Sequence, residues 1–298
     1  MNRRSFVATA GALALAEPVA RLTAQTGGRP MARDGVQMYW FSQLAARDGK
    51  GFDELMPEYL AMTAEAGFAN VETGLTYCAT DESTQAFADR LKRAGLGLAG
   101  LYSGGALHAE HAASAVQAIL DQAARAKAIG CPGVTCNPDP IGREKTDAEL
   151  ATQASALNDV GAGLAELGLF FGIHTHAPEM SHNAREFRHN LDCTGPTVGL
   201  CADFHWMYRG GGDPYALTEQ YAGRIVSTHL RNSVEAVWAE GFCTGDLDYG
   251  RIKAALDEAG YEGPLTVEIA WEPRTPDTRP PLQTLRMSRE YLREAFGV

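Results

Sequence analysis

Several histidines and carboxylates in this chain are spaced for joint chemistry. The stretch "FGIHTH" (171–176) ends an apolar run with His174 and His176, two residues apart. Further on, "GLCAD" ends at Asp203, "RIVSTHL" carries His229 and "LTVEI" carries Glu268. From His174 onward these four are separated by 29, 26 and 39 residues, about one strand–helix unit each. Side chains alternate along a strand. That parity groups Phe170, Gly172 and His174 on one face, and Gly199, Cys201 and Asp203 on another. It likewise groups Ile225, Ser227 and His229, and Thr266 with Glu268. The opposite faces are consistently apolar and suit packing beneath helices. Each of the four strands therefore offers one ionisable group near its C-terminal end. Two imidazoles and two carboxylates suit one divalent ion such as Mn²⁺, Co²⁺, Zn²⁺ or Fe²⁺, held by His174, Asp203, His229 and Glu268. His176 shares the face of His174, one step further out, and is expected to meet substrate or donate a proton.

The elements that must position these groups alternate along the chain. Strands are expected at 36–41, 68–72, 96–102, 133–137, 169–174, 197–203, 224–230 and 264–270. Helices are expected at 52–66, 81–94, 110–129, 147–167, 181–192, 214–222, 249–259 and 279–296, most of them stopped by glycine. Eight strand–helix pairs imply a parallel sheet and fit an α/β fold, a closed (β/α)8 TIM barrel in a single domain, 31–298. An open doubly wound sheet would announce a glycine-rich first turn, and "VQMYWFSQLAARDG" has none. Tyr39 and Trp40, closing strand one, and Tyr102, closing strand three, offer aromatic faces to a sugar. The parity of Trp40 also fits the core. The long connection 231–248 carries Trp238 and Phe242, which suit a lid or an oligomer contact. His108, His111, His182 and His189 are assigned no role.

Composition narrows the partners. Asp plus Glu outnumber Lys plus Arg by 37 to 26 in 298 residues. An acidic surface repels phosphate backbones, so no nucleic acid is expected. No interior apolar run reaches the roughly 18 residues of a membrane span. Residues 1–30 open with Arg3, Arg4 and Phe6, then an Ala-rich apolar run ending in "ALA" (14–16). This resembles a twin-arginine export signal and linker, and implies a periplasmic or otherwise exported protein. Such a destination permits disulfides. Of six cysteines, Cys131 and Cys136 in "CPGVTC" are close enough for a local bridge; the others read as small buried residues.

The stretches "VGLCADFHWMYRGGGDP", "RIVSTHLRN" and "GDLDYGRIKAALDEAGYEGPLTVEI" resemble the xylose isomerase-like barrel superfamily. The resemblance runs from about 35 to 296. That group includes sugar phosphate isomerases/epimerases, ketose 3-epimerases, inosose dehydratases and hydroxypyruvate isomerases. It implies the second, third and fourth metal-ligand positions for Asp203, His229 and Glu268, and matches Glu72 in "ANVET" to a common family glutamate. Trp206 falls where members often face substrate, beside His205, and Arg231 takes the usual basic position after the histidine ligand. The chain departs at strand five, where epimerases of the family place a glutamate and this chain has His174. One of two opposed carboxylates is then missing, which favours one base plus a separate acid. The His-x-His motif resembles an exported subgroup, some of whose members act on 3-keto-glycosides.

The implied activity is a divalent-metal-dependent sugar isomerase or epimerase. It acts by proton abstraction next to a carbonyl, through a metal-bound enediolate, on a keto-sugar or keto-glycoside. Elimination by a 3-keto-glycoside lyase or hydrolase is the alternative on the same site. A sugar-binding protein with an inactive site is the remote one. Glu268, His176 and Glu72 are the candidate bases, in that order. His205, Trp206, Arg231, Tyr39 and Tyr102 are the candidate substrate contacts. The partner is a small carbohydrate, met by a monomer or a homo-oligomer.

Overall fold

A computed structural model describes residues 32–298. The proposed export segment, 1–30, lies outside the described residues. Ten strands form: β1 (Asp34–Gln37), β2 (Asn70–Gly74), β3 (Gly97–Gly105), β4 (Gly133–Pro138), β5 (Phe170–Ile173), β6 (Gly199–Asp203), β7 (Ile225–Leu230), β8 (Ser233–Val234), β9 (Val237–Trp238) and β10 (Leu265–Val267). Eight of them close a parallel barrel in the order β1-β10-β7-β6-β5-β4-β3-β2. The remaining pair, β8 and β9, is an antiparallel hairpin inside the long connection after β7. Its turn residues Glu235 and Ala236 take positive φ.

The helices are α1 (Tyr39–Arg47), α2 (Phe52–Glu65), α3 (Asp81–Ala94), α4 (Ala112–Ala128), α5 (Asp147–Glu166), α6 (Ala177–Asp192), α7 (Phe204–Arg209), α8 (Pro214–Tyr221), α9 (Tyr249–Glu258) and α10 (Pro281–Phe296). Local chemistry starts and stops them. Thr80 and Thr146 open α3 and α5 through capping boxes with Ser83 and Glu149. Asp213 and Asp248 cap α8 and α9 through their carboxylates. Gly95 closes α3 in the left-handed conformation that a side chain would strain.

The core is the layer between strands and helices, with Val134, Leu200, Leu230 and Val267 fully buried. The Phe170 ring lies across β4 and β3, where a Cβ on Gly133 would sit 2.2 Å from its Cγ and one on Gly100 3.4 Å from its Cζ.

The fold corrects several expectations. Strand one is shorter than 36–41: β1 ends at Gln37 and α1 begins at Tyr39. Trp40, Phe41, Leu44 and Ala45 are its buried residues, a helical face that a run of aromatics disguises as a strand. Trp40 therefore belongs to the core, edge-on to Trp271. Tyr39 sits on the first turn of α1, 50% exposed, rather than at a strand end facing the barrel mouth. Phe242 is no lid; it is buried against Tyr249 and Tyr291. Cys131 and Cys136 are buried free thiols, with no bridge between them. Helix α6 starts before 181 and breaks at 181–184, where His182, Asn183 and Ala184 have left-handed φ.

Candidate active site

The C-terminal ends of β5, β6, β7 and β10 bring His174, Asp203, His229 and Glu268 together. One ligand-type atom from each lies within 4.8 Å of the others, and all four residues are buried. Register explains the convergence: Asp203 pairs with His229 across β6 and β7, and His229 with Thr266 across β7 and β10. The spacing read from the sequence thus corresponds to one layer at the barrel's mouth.

Each imidazole is held from behind. The Nε2 of His229 lies 2.7 Å from Glu72 Oε1, so a proton on that nitrogen is donated to the carboxylate. This leaves Nδ1 directed to Glu268, 3.0 Å from Oε2. The Nδ1 of His174 lies 3.4 Å from the Tyr102 hydroxyl, and its Nε2 lies 3.4 Å from Asp203 Oδ2. His174 Nε2 and His229 Nδ1 are both buried without a hydrogen-bond partner of good geometry. Orphaned ring nitrogens are uncommon in a protein interior. Here they face two carboxylates, and neutral imidazole with carboxylate is the donor set of a divalent-metal site. Glu72 and Tyr102 then supply the outer hydrogen bonds that orient such histidines.

Asp203 also caps α7, its Oδ1 accepting the Trp206 N–H at 2.8 Å. Its Oδ2 accepts from Arg231 Nη2 at 2.9 Å, and the same nitrogen donates to Glu268 Oε2. Burial works against charge on both carboxyls. Arg231, together with His174 beside Asp203 and with His229 and His174 beside Glu268, outweighs it and holds Asp203 below, and Glu268 well below, the usual carboxylate range. Arg231 is thus inside the cluster, not at its rim. Its guanidinium lies 5.4 Å from the Trp206 ring centroid and 5.0 Å from that of Trp238, and its Nε has no protein partner.

His176 stands beside this layer, its ring 4.6 Å from that of His174 and 5.2 Å from Trp206. Burial, and then the neighbouring His174, push its pKa down to about 4. Its Nδ1 lies 3.0 Å from Asn137 Oδ1. The Asn137 amide nitrogen donates to the Pro138 carbonyl, which turns the oxygen toward the histidine. His176 Nδ1 therefore carries the proton, and Nε2 of the neutral ring has the free lone pair.

Other expected contacts fall differently. Glu72 is buried and bonded to His229, behind the ligand layer. His205 is fully buried, and its Nε2 pairs with Ser233 Oγ at 2.9 Å; Ser233 in turn donates to Asp246 Oδ2 at 2.6 Å. It ties α7 to the hairpin rather than entering the cluster. Burial and Arg231 push its pKa down to about 4. Tyr102 stands beside His174 and His229, and Trp206 beside His176 and Arg231; Tyr39 is half exposed on the first turn of α1. Asn137 was missed, although it ends β4 on the inward parity of Gly133 and Thr135 and could have been read there. Trp238, expected in a lid or an oligomer contact, stands edge-on to Trp206 at 5.5 Å and beside Arg231.

A parallel eight-stranded barrel with two histidines, an aspartate and a glutamate gathered at its C-terminal mouth defines a class of barrel that could hold a metal ion there. The chain belongs to the xylose isomerase-like TIM barrel family, whose model matches residues 60–295. It is 26% identical over 273 residues to the rhizopine catabolism protein MocC of Rhizobium meliloti, covering 81% of this chain and 82% of that protein. It is also 26% identical over 201 residues to inosose dehydratase of Histophilus somni, covering 58% of this chain and 66% of that one. The chain spans about half to two thirds of the inosose dehydratases it matches. In fold it resembles a sugar phosphate isomerase/epimerase from Parabacteroides distasonis, with a TM-score of 0.64 at 17% identity over 93% of this chain and 98% of that one. Among the described residues, no helix is long and apolar enough to cross a membrane.

Proposed function

We propose that the chain is a metal-dependent enzyme that removes a proton next to a carbonyl of a keto-sugar, keto-cyclitol or keto-glycoside and completes a β-elimination. It is an enzyme of the sugar isomerase/epimerase or lyase kind. The observation that carries the reading is the pair of orphaned nitrogens, His174 Nε2 and His229 Nδ1, buried against Asp203 and Glu268. Those four residues would hold the ion. A divalent ion bound there supplies Lewis-acid polarisation of a substrate carbonyl oxygen, which acidifies the adjacent C–H.

The chain's own groups handle the proton. Glu268 is bonded to Arg231 and Glu72 to His229, so neither is free to act as a mobile base. His176 is neutral at pH 7, and its Nε2 lone pair is available. It accepts the proton from carbon and, once protonated, can return it to a departing oxygen. One group acting as base and then acid suits elimination, and the absence of a second opposed carboxylate at His174 supports the same choice. The inosose dehydratase relatives support it too. Return of the proton to carbon instead would give isomerisation or epimerisation. Arg231 Nε and the indole of Trp206 are donors for substrate hydroxyls. We further propose an exported protein, on the motif in residues 1–30; cell fractionation tests that separately.

The test is an assay of the metal-loaded protein on a keto-inositol, free ketoses and 3-keto-glycosides, with product analysis. Loss of water or of the glycosidic substituent supports elimination. An epimer or aldose–ketose pair would replace it with isomerisation. Turnover unaffected by a chelator would contradict both.

A further inference from the structure

We infer that Arg231 is a built-in rival of the metal: a fixed side-chain cation that shares the ligand oxygens of Asp203 and Glu268 and so keeps a divalent ion exchangeable. The inference rests on the reading of the four-residue layer as a metal site.

Arg231 Nη2 donates to Asp203 Oδ2 at 2.9 Å and to Glu268 Oε2. These oxygens are also the ones 3.4 Å from His174 Nε2 and 3.0 Å from His229 Nδ1. The guanidinium and an ion would therefore draw on the same two atoms. Arg231 cannot relieve the conflict by losing its charge, since a guanidinium does not deprotonate in proteins. Nor is it free to step aside. Its side chain is buried between the Trp206 and Trp238 rings. Its carbonyl accepts the Tyr249 hydroxyl at 2.6 Å. Trp238 is itself pinned, its backbone N–H donating to Glu272 Oε1 at 2.8 Å, with Arg209 5.4 Å from its ring centroid. Two carboxylates facing a divalent ion would balance its charge. With Arg231 sharing them, those two carboxylates face three positive charges at hydrogen-bond range, where the local dielectric is low, and Glu72, the third buried carboxylate, stands one residue behind them on His229. Affinity is then set below what the four ligands alone would give. Without the ion, the same arginine neutralises two buried carboxylates that would otherwise repel.

The test is metal affinity, read without substrate. Full-length wild-type protein, Arg231→Met and Trp238→Leu are stripped and titrated with Mn²⁺ and with Zn²⁺ against a chromophoric chelator. Each stripped protein is also melted. Arg231→Met is expected to bind both ions about tenfold or more tighter while melting lower when stripped. Trp238→Leu keeps the charge but loosens the clamp, and is expected to tighten binding by a smaller factor. Arg231→Met binding no tighter than wild type overturns the inference and leaves the metal site standing. Should that variant not fold, unchanged or weaker binding by Trp238→Leu overturns it instead. No binding by any of the three overturns the metal-site reading, and the inference with it.

Discussion

At the scale of residues, the decisive difference is between groups that are held and groups that are free. Glu268 headed the list of bases read from the chain, yet it is bonded to Arg231 and faces His229 Nδ1 at 3.0 Å. His176 has only Asn137 on one nitrogen, and burial keeps it neutral down to about pH 4. His176→Gln is therefore expected to lower kcat by about 10²–10⁴-fold, with metal content unchanged. Steady-state kinetics beside elemental analysis checks both halves. Glu72 acts through His229, so Glu72→Gln is expected to weaken metal binding by about ten- to a hundredfold, read by chelator competition. Strand parity made the convergence of His174, Asp203, His229 and Glu268 legible, because a closed barrel sends alternate residues inward. Roles within the layer were not legible. They depend on which oxygen meets which nitrogen, and sequence distance carries none of that.

Among the elements, the loops after β7 and β10 form one unit. Glu240, just past the hairpin, accepts from the Thr278 N–H at 2.5 Å, the Thr278 hydroxyl at 2.8 Å and the Arg279 N–H at 2.6 Å. Burial would raise its pKa, but these donors outweigh burial and hold it below the usual range. A depressed carboxyl contributes stability above its unfolded pKa of about 4.3 and loses it as pH falls through the folded value. Glu240→Gln should lower the melting temperature at pH 7, by about 1–3 kcal/mol of stability, and the difference should shrink below pH 4. Melting curves across that range decide it. None of this was legible beforehand, since a loop's partners are set by where the barrel carries it. Likewise the first turn of α1, Tyr39–Phe41, read as strand, because its aromatic residues have high strand propensity and tertiary packing overrode that preference. The eight strands were legible as apolar runs bounded by glycine-closed helices, with ends that differ by a few residues.

At the scale of the whole molecule, barrel closure is what turns four distant residues into one layer. Where the strands close, the half-buried Phe170 ring packs directly over Gly133 and Gly100. Gly133→Ala would press a methyl into that ring and should cost about 1–3 kcal/mol, seen by denaturant unfolding. The formal charge of −11 fits a partner without phosphate backbones. The central claim is that the closed barrel makes one divalent-metal site from His174, Asp203, His229 and Glu268. Elemental analysis of folded, metal-reconstituted wild-type protein beside Asp203→Ala tests it most directly. About one equivalent of Mn, Co, Zn or Fe in the wild type, lost in the variant, is the predicted result. No metal in the wild type after exposure to each ion, or equal metal in both proteins, would contradict it.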